Sequence, residues 1–322
     1  MHTTPPQPIP SAADPHDPRR AALNARAAAG ATDAIALSGA LANAFAPRGF
    51  DLTRTVAVAA YNRAVAPPLR LPDHGRAGAL AVVIGNSRAL WPRFVAALRA
   101  DHALLEEPDP LDRYTERAVA AAAHEAGGVL GRPRHEIRFG HELPPRRVAM
   151  QRLADVSGLA HLNQGHLCIH PVYGPWIALR AGIAWDGDAP ARDPRGAPRL
   201  PPPCDCTRGC SRAFDRTIAA SRTVPTSATA CADWQLWVAV RDACPVGREH
   251  RYGADQLRYH YTGDREVLLE GVEILRDPAQ GRRPRHADLR DPGLAPAPLL
   301  GVRHPWGSLS DGPALRRRVL TF

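Results

Sequence analysis

The chain reads as a single α+β domain, a mixed or antiparallel sheet with flanking helices, and three observations lead there. Short β-branched or apolar runs bounded by polar or proline-bearing segments, Thr55 to Ala60 and Ala79 to Ile84, have the length and composition of strands. Ala89 to Ala100 and Leu111 to Ala126 carry apolar residues at three- and four-residue spacing, as amphipathic helices do. Runs around Cys168 and Arg180 flank a turn from Pro171 to Pro175, and hairpin-like pairing across it makes the sheet antiparallel with helices packed on it.

Taken in order, Ser38 to Ala46 predicts a short helix whose serine caps its start, because a hydroxyl there accepts from an unpaired backbone N–H. Ala66 to Gly78, between the first two strands, is a proline-bearing loop. Glu136 to Glu142 is a third strand, followed by a helix from about Arg146 to Leu162. Asp186 to Pro203 is a long loop rich in Pro, Asp and Arg. Ser211 to Ser221, Asp233 to Asp242 and Asp264 to Leu275 predict three further helices, and no internal repeat is visible.

The chain has 322 residues, 44% of them hydrophobic, enough to bury one substantial core. Its 33 prolines concentrate at both ends. That composition divides the chain into an N-terminal arm over 1–36, a folded domain over 37–276 and a Pro- and Arg-rich tail over 277–322. The formal charge is +9, yet all 41 basic residues are arginine, which reads as composition bias more than a selected patch. Arg282, Arg283 and Arg285, like Arg316 to Arg318, lie in the tail, and the strands show no basic-aromatic interleaving, so no nucleic-acid partner is expected. No apolar run approaches the ~20 residues that span a bilayer and no signal-peptide pattern opens the chain, so the expectation is a cytoplasmic protein without a membrane partner. Six cysteines in a chain of this size are more in keeping with ligands, redox groups or core residues than with a disulfide framework.

The densest chemistry lies between Gly165 and Arg180. Side chains alternate across a strand, so His166, Cys168 and His170 would share one face while Leu167 and Ile169 enter the core. Imidazole and thiolate suit zinc or iron, but three groups at every second position diverge and do not close a tetrahedron without a fourth ligand. Cys204, Cys206 and Cys210, with Cys244-Pro245 further on, form a second cysteine group. Its spacing, Cys-x-Cys-x3-Cys, departs from the ferredoxin pattern, leaving an iron–sulfur cluster, a zinc or redox dithiol site, and uncommitted surface thiols all open.

Cys168-Ile169-His170-Pro171 followed by Gly174-Pro175-Trp176-Ile177-Ala178-Leu179-Arg180 resembles the Cys-Ile-His-Pro and Gly-Trp-Phe-Ala-Ile-Arg run of the cobalamin-processing CblC family of decyanases and dealkylases. Gly49-Phe50, Tyr61-Asn62 and Pro67-Pro68-Leu69-Arg70-Leu71-Pro72 match motifs upstream. Downstream, Val240-Arg241-Asp242-Ala243, His250-Arg251-Tyr252 and Tyr259-His260-Tyr261-Thr262 follow in the family's order, so the resemblance spans roughly residues 40–276. It implies a nitroreductase-like fold. It also implies that Arg180, Arg241 and Arg265 bind the carboxylates of glutathione, and that Asp155, Gln164, Cys168, Ile169, His170, Tyr173 and Trp176 line the cobalamin, with cobalt held by no protein histidine. A guanidinium is a planar fork of donors that pairs two-pronged with a carboxylate, so a ligand with two carboxylates needs more than one. A buried structural cysteine is the plain alternative for Cys168. Asp155 stands where vertebrate members carry a histidine, and Pro175 replaces a glycine.

The activity implied is base-off binding of cobalamin and removal of its upper ligand: reductive decyanation of cyanocobalamin, and dealkylation of alkylcobalamins with glutathione as cosubstrate. FMN or FAD would supply electrons, on this chain or from a flavin reductase, and downstream cobalamin-dependent enzymes would receive the product. Two other classes stay open: an iron–sulfur, cobalamin-dependent reductase related to epoxyqueuosine reductase, and a non-catalytic cobalamin carrier.

Overall fold

The computed structural model describes residues 35–188, 209–220 and 233–274. Four antiparallel strands, β1 (Leu52–Ala57), β2 (Ala79–Asn86), β3 (His135–Phe139) and β6 (Ala178–Asp188), form a sheet in the order β1-β2-β6-β3. Two short strands, β4 (His161–Leu162) and β5 (Cys168–Ile169), pair separately. β2 is buried along its whole length, which is why it reads as a continuous apolar run.

Alternation along β2 splits the core into two layers. Leu80, Val82 and Ile84 face one side with Ala181, Ile183 and Trp185 of β6. There they meet α1 (35–45), α3 (Leu90–Ala100) and α5 (Pro110–Ala126) through Leu37 and Leu41, Phe94 and Leu98, and Val119 and Ala122. Ala79, Ala81 and Val83 face the other side, covered by α2 (Val58–Arg63) and α6 (Met150–Ser157) through Val58, Tyr61, Leu153 and Ala154. Leu153 packs so closely on β6 that a Cβ on Gly182 would meet it at 2.9 Å. A short α4 (Ala103–Glu106) precedes α5, and α7 (Cys210–Ala220), α8 (Trp234–Asp242), α9 (Ala254–Thr262) and α10 (Glu266–Ile274) complete the described elements.

Several expectations need correction. β5 does not form a hairpin with β6: it pairs with β4, while β6 lies between β2 and β3. Pro171 and Pro175 lack the N–H groups a ladder needs, so the turn is closed by one bridge, His170 to Gly174. The strand expected over Thr55 to Ala60 ends at Ala57, after which Val58-Ala59-Ala60 turns helical, alanine being the strongest helix former. The helix expected to reach Leu162 stops at Ser157, where Gly158 takes a left-handed φ of 73° and donates to Ala154. α1 is already helical at residue 35, so Ser38 lies inside it and caps nothing. His166 has φ 57°, which breaks the alternation into β5, and Cys168 and Ile169 are buried on opposite sides. The arms, apart from residues 35 and 36 of the first, and most of the Asp186 to Pro203 loop lie outside the described residues.

Candidate functional site

β6 delivers Arg180 through a bulge. Ile84 of β2 opposes Ala181 and Gly85 opposes Leu179, so Arg180 is an extra residue in the ladder, and a bulge of this kind re-aims a side chain. Gly85 makes the close approach possible, since a Cβ there would meet the Ala178 carbonyl oxygen at 2.8 Å. Thus aimed, Arg180 donates from Nε to Asn86 Oδ1 at 2.7 Å and sits 3.1 Å from His260 Nε2 on α9.

Arg241 arrives from α8, one turn after Trp237, which puts both on the buried face of the helix. It is 5% exposed, donates to the Ile177 carbonyl at 3.0 Å, and stacks over the rings of Trp176 and Tyr252 at 5.5 and 5.6 Å. Its Nε has no acceptor among the described residues. Neither Arg180 nor Arg241 has a carboxylate in salt-bridge contact among the described residues; Asp112 of α5 acts on Arg180 only through space.

These groups share one buried setting. Burial holds the pKa of Arg180 below its ordinary value, with Asp112 opposing. Burial, reinforced by Arg180 and Arg241, keeps His260 neutral by moving its pKa well below the usual imidazole range. Burial pushes the Tyr252 hydroxyl up to about 12, against the pull of the same two arginines. The site is therefore cationic, donor-rich and short of acceptors, an arrangement that favours an anion.

A cavity of about 660 Å³ opens beside this cluster, lined by Asp51, Ser87, Arg88, Trp91, Tyr173 and Gln256 among others. Its size is that of a small-molecule site, roughly 300–1,000 Å³. Asp51 is engaged, accepting from the Ser87 N–H at 2.8 Å and the Ser87 hydroxyl at 2.6 Å. Arg251, at the rim, is held two-pronged by Asp242 and lies 5.4 Å over Trp176.

The segment expected to face the corrin adjoins the cavity through Tyr173. His170 Nδ1 accepts from the N–H groups of Val172 and Tyr173 at 3.1 and 3.2 Å, and burial lowers its pKa to about 4. Its ring lies tilted against Tyr173, 4.9 Å between centroids, and Tyr173 packs in turn against His250 at 4.7 Å. Cys168 is buried against Gln151, and burial, with Asp155 adding to it, pushes its thiol up to about 12, so it is a protonated core group. Asp155 is buried too, accepting from Leu162 N–H at 3.1 Å and from Arg152 at 3.2 Å. Gln164 is exposed, whereas Cys168, Ile169 and Trp176 present almost no surface to a ligand.

The structure thus brings Arg180 and Arg241 together and leaves Arg265 apart. Arg265 is exposed at the start of α10 and donates to the backbone carbonyls of Glu107 and Pro108. Cys210 and Cys244 share an apolar cluster with Ile169, and Asn163 donates to Cys210 Sγ at 3.2 Å. Cys204 and Cys206 lie outside the described residues, and among the described residues no three His, Cys, Asp or Glu side chains group to hold a metal ion. Sequence reasoning missed Asn86, Gln256 and His260 as site residues. The last two stand four apart on one helix, a spacing that would have placed them on a common face had α9 been read as a helix.

No protein-family model matches the chain. Among curated proteins it is similar to the cyanocobalamin reductase / alkylcobalamin dealkylase of Bos taurus, 26% identical over 271 residues that cover 74% of this chain and 84% of that protein. Among solved structures, the C. elegans B12-trafficking protein CblC shares the fold, with a TM-score of 0.53 and 18% identity over 76% of this chain and 98% of that one. An epoxyqueuosine reductase superposes with a TM-score of 0.41 and 12% identity over 72% of this chain and 70% of that one, too loosely to bear on function. The α+β fold is accordingly of the nitroreductase-like kind expected. With the sequence motifs in register from Gly49 to Thr262, a curated relative along most of the chain and a shared fold, the chain is similar over most of its length to proteins of the CblC kind.

Proposed function

We propose that the protein binds cobalamin base-off and removes its upper ligand, by glutathione-dependent dealkylation and by reductive decyanation. The observation that supports this reading best is a pair of arginines, Arg180 half-buried and Arg241 buried, without a carboxylate in salt-bridge contact among the described residues and beside a cavity of about 660 Å³. An uncompensated buried charge is costly, so a cation pair of this kind favours a site completed by an anionic ligand. Glutathione, with two carboxylates, suits two guanidinium forks.

In dealkylation, the cosubstrate's thiolate sulfur forms a bond to the cobalt-bound carbon, and the carbon–cobalt bonding pair stays on cobalt. The chain's residues hold the tripeptide in line and lower its thiol pKa through nearby positive charge. In decyanation, an external reduced flavin provides the electrons, and we assign no residue of this chain to flavin. Cobalamin itself would lie along the His170–Tyr173 turn, with Asp155 and Gln164 behind and beside it and Cys168, Ile169 and Trp176 as its buried support. Arg265, on the exposed side, would reach the tripeptide only by releasing the Glu107 and Pro108 carbonyls.

The test is to incubate the purified protein with methylcobalamin and with cyanocobalamin, each with and without glutathione and with and without reduced flavin. The expected result is S-methylglutathione from the first only with glutathione, and free cyanide from the second only with reduced flavin. Binding without loss of either upper ligand would leave a carrier in place of an enzyme.

A further inference from the structure

Four N–H donors around Tyr252 have no acceptor among the described residues: Arg241 Nε, Trp176 Nε1, Gln256 Nε2 and His260 Nδ1. Gln256 is 2% exposed and Trp176 is fully buried. Buried donors are ordinarily paired, and each one left unpaired costs about 1–3 kcal/mol, so these donors favour an acceptor brought by a ligand.

The tautomer of His260 follows from its neighbour. A guanidinium has donors only, so Arg180, 3.1 Å away, must donate to His260 Nε2. A neutral imidazole that accepts at Nε2 carries its proton on Nδ1, and Nδ1 is the unpaired atom. Gln256 lies one turn earlier on the same helix and lines the cavity, so it stands between open space and the buried cluster. The rings of Trp176, Tyr252 and His260 pack in series, 5.8 and 5.6 Å between centroids, and fix the spacing of the donors.

We propose that Gln256 and His260 are carboxylate-positioning residues: the Gln256 amide and the His260 Nδ1–H complete, with Arg241, a subsite for one carboxylate of the anionic cosubstrate. A carboxylate has four lone-pair sites and no donor, which matches a set of donors that lacks an acceptor. The assignment rests on the reading of Arg180 and Arg241 as the cosubstrate's anchor. It adds the residues that discriminate a carboxylate from an amide, since a group bringing its own N–H would leave these donors unpaired.

Calorimetric titration of wild-type, Gln256→Met and Gln256→Glu protein with glutathione and with glutarate tests it. Gln256→Met removes the donor at similar volume and should weaken glutathione binding about tenfold, the equivalent of one lost hydrogen bond to a charged group. Gln256→Glu adds a negative charge at the same shape and should weaken it further, although a purely structural role would rank the isosteric glutamate as the milder change. Equal affinity in all three proteins overturns the proposal. Wild-type protein that ignores glutathione yet binds glutarate with this dependence on residue 256 sinks the glutathione reading and keeps the subsite. Failure to bind either acid overturns both. Should Gln256→Glu not fold, Gln256→Met and His260→Phe carry the same comparison, each expected to lose about tenfold.

Discussion

Replacing Gly174 by alanine is expected to destabilise the protein by about 3–5 kcal/mol, measured by urea unfolding followed by circular dichroism. Gly174 has φ 55°, and a Cβ there would lie 1.9 Å from the carbonyl oxygen of Val246. Gly247 faces it from the segment that follows α8, with φ 68°, and a Cβ on that residue would lie 2.3 Å from the Tyr173 carbonyl carbon. Two backbones therefore cross where only glycine fits, and the crossing fixes the Pro171–Pro175 turn beneath the approach to His250. Gly75→Ala is the control: its φ is 73° but nothing lies within 4 Å of the added carbon, so only the left-handed backbone is penalised, by about 1–2 kcal/mol. If Gly174→Ala costs no more than Gly75→Ala, the crossing is not the constraint described.

Arg241→Gln is expected to raise the glutathione needed for dealkylation by roughly ten- to a hundredfold, since a charge-assisted bond to a buried carboxylate contributes about 1.5–3 kcal/mol. Arg241→Lys keeps the charge but not the two-pronged fork and should fall between the two. Cobalamin binding should survive both changes, because neither removes a group on the His170–Tyr173 turn. Arg241 also ties α8 to the Ile177 carbonyl and covers Trp176, so circular dichroism must accompany the assay. Loss of fold in both variants would make the arginine structural. An unchanged glutathione requirement in folded protein would remove it from the site.

Much of the fold was legible because local signals agreed with it. The apolar run of β2 and the helical spacing of α3 and α5 appear within a residue or two of their expected bounds. What failed was pairing. A turn of suitable length between two apolar runs looks like a hairpin, but β6 is eleven residues long and finds fuller partners in β2 and β3, whereas β5 has two residues and finds β4. Partner choice is a long-range property that no window of sequence contains. α9 was read only as a motif because Tyr259-His260-Tyr261 carries aromatic side chains on all sides.

The candidate site divides along the same line. That Arg241 faces inward could be read from its place one turn after Trp237 on a helix. That Arg180 meets Asn86 and His260 could not, because its aim depends on a register shift beside Gly85. Family resemblance named the arginines; it gave no hint that Arg241 Nε, Trp176 Nε1, Gln256 Nε2 and His260 Nδ1 lack an acceptor among the described residues. The polar groups of Gln256 and His260 belong to the site only once the sheet, α8 and α9 are assembled.

The most direct measurement of the central claim is the visible spectrum of methylcobalamin as the apoprotein is added. Base-off binding removes the lower nitrogen ligand from cobalt and should move the absorption band to the blue, saturating at one equivalent if each chain takes one cobalamin. A spectrum unchanged at saturating protein would contradict the account.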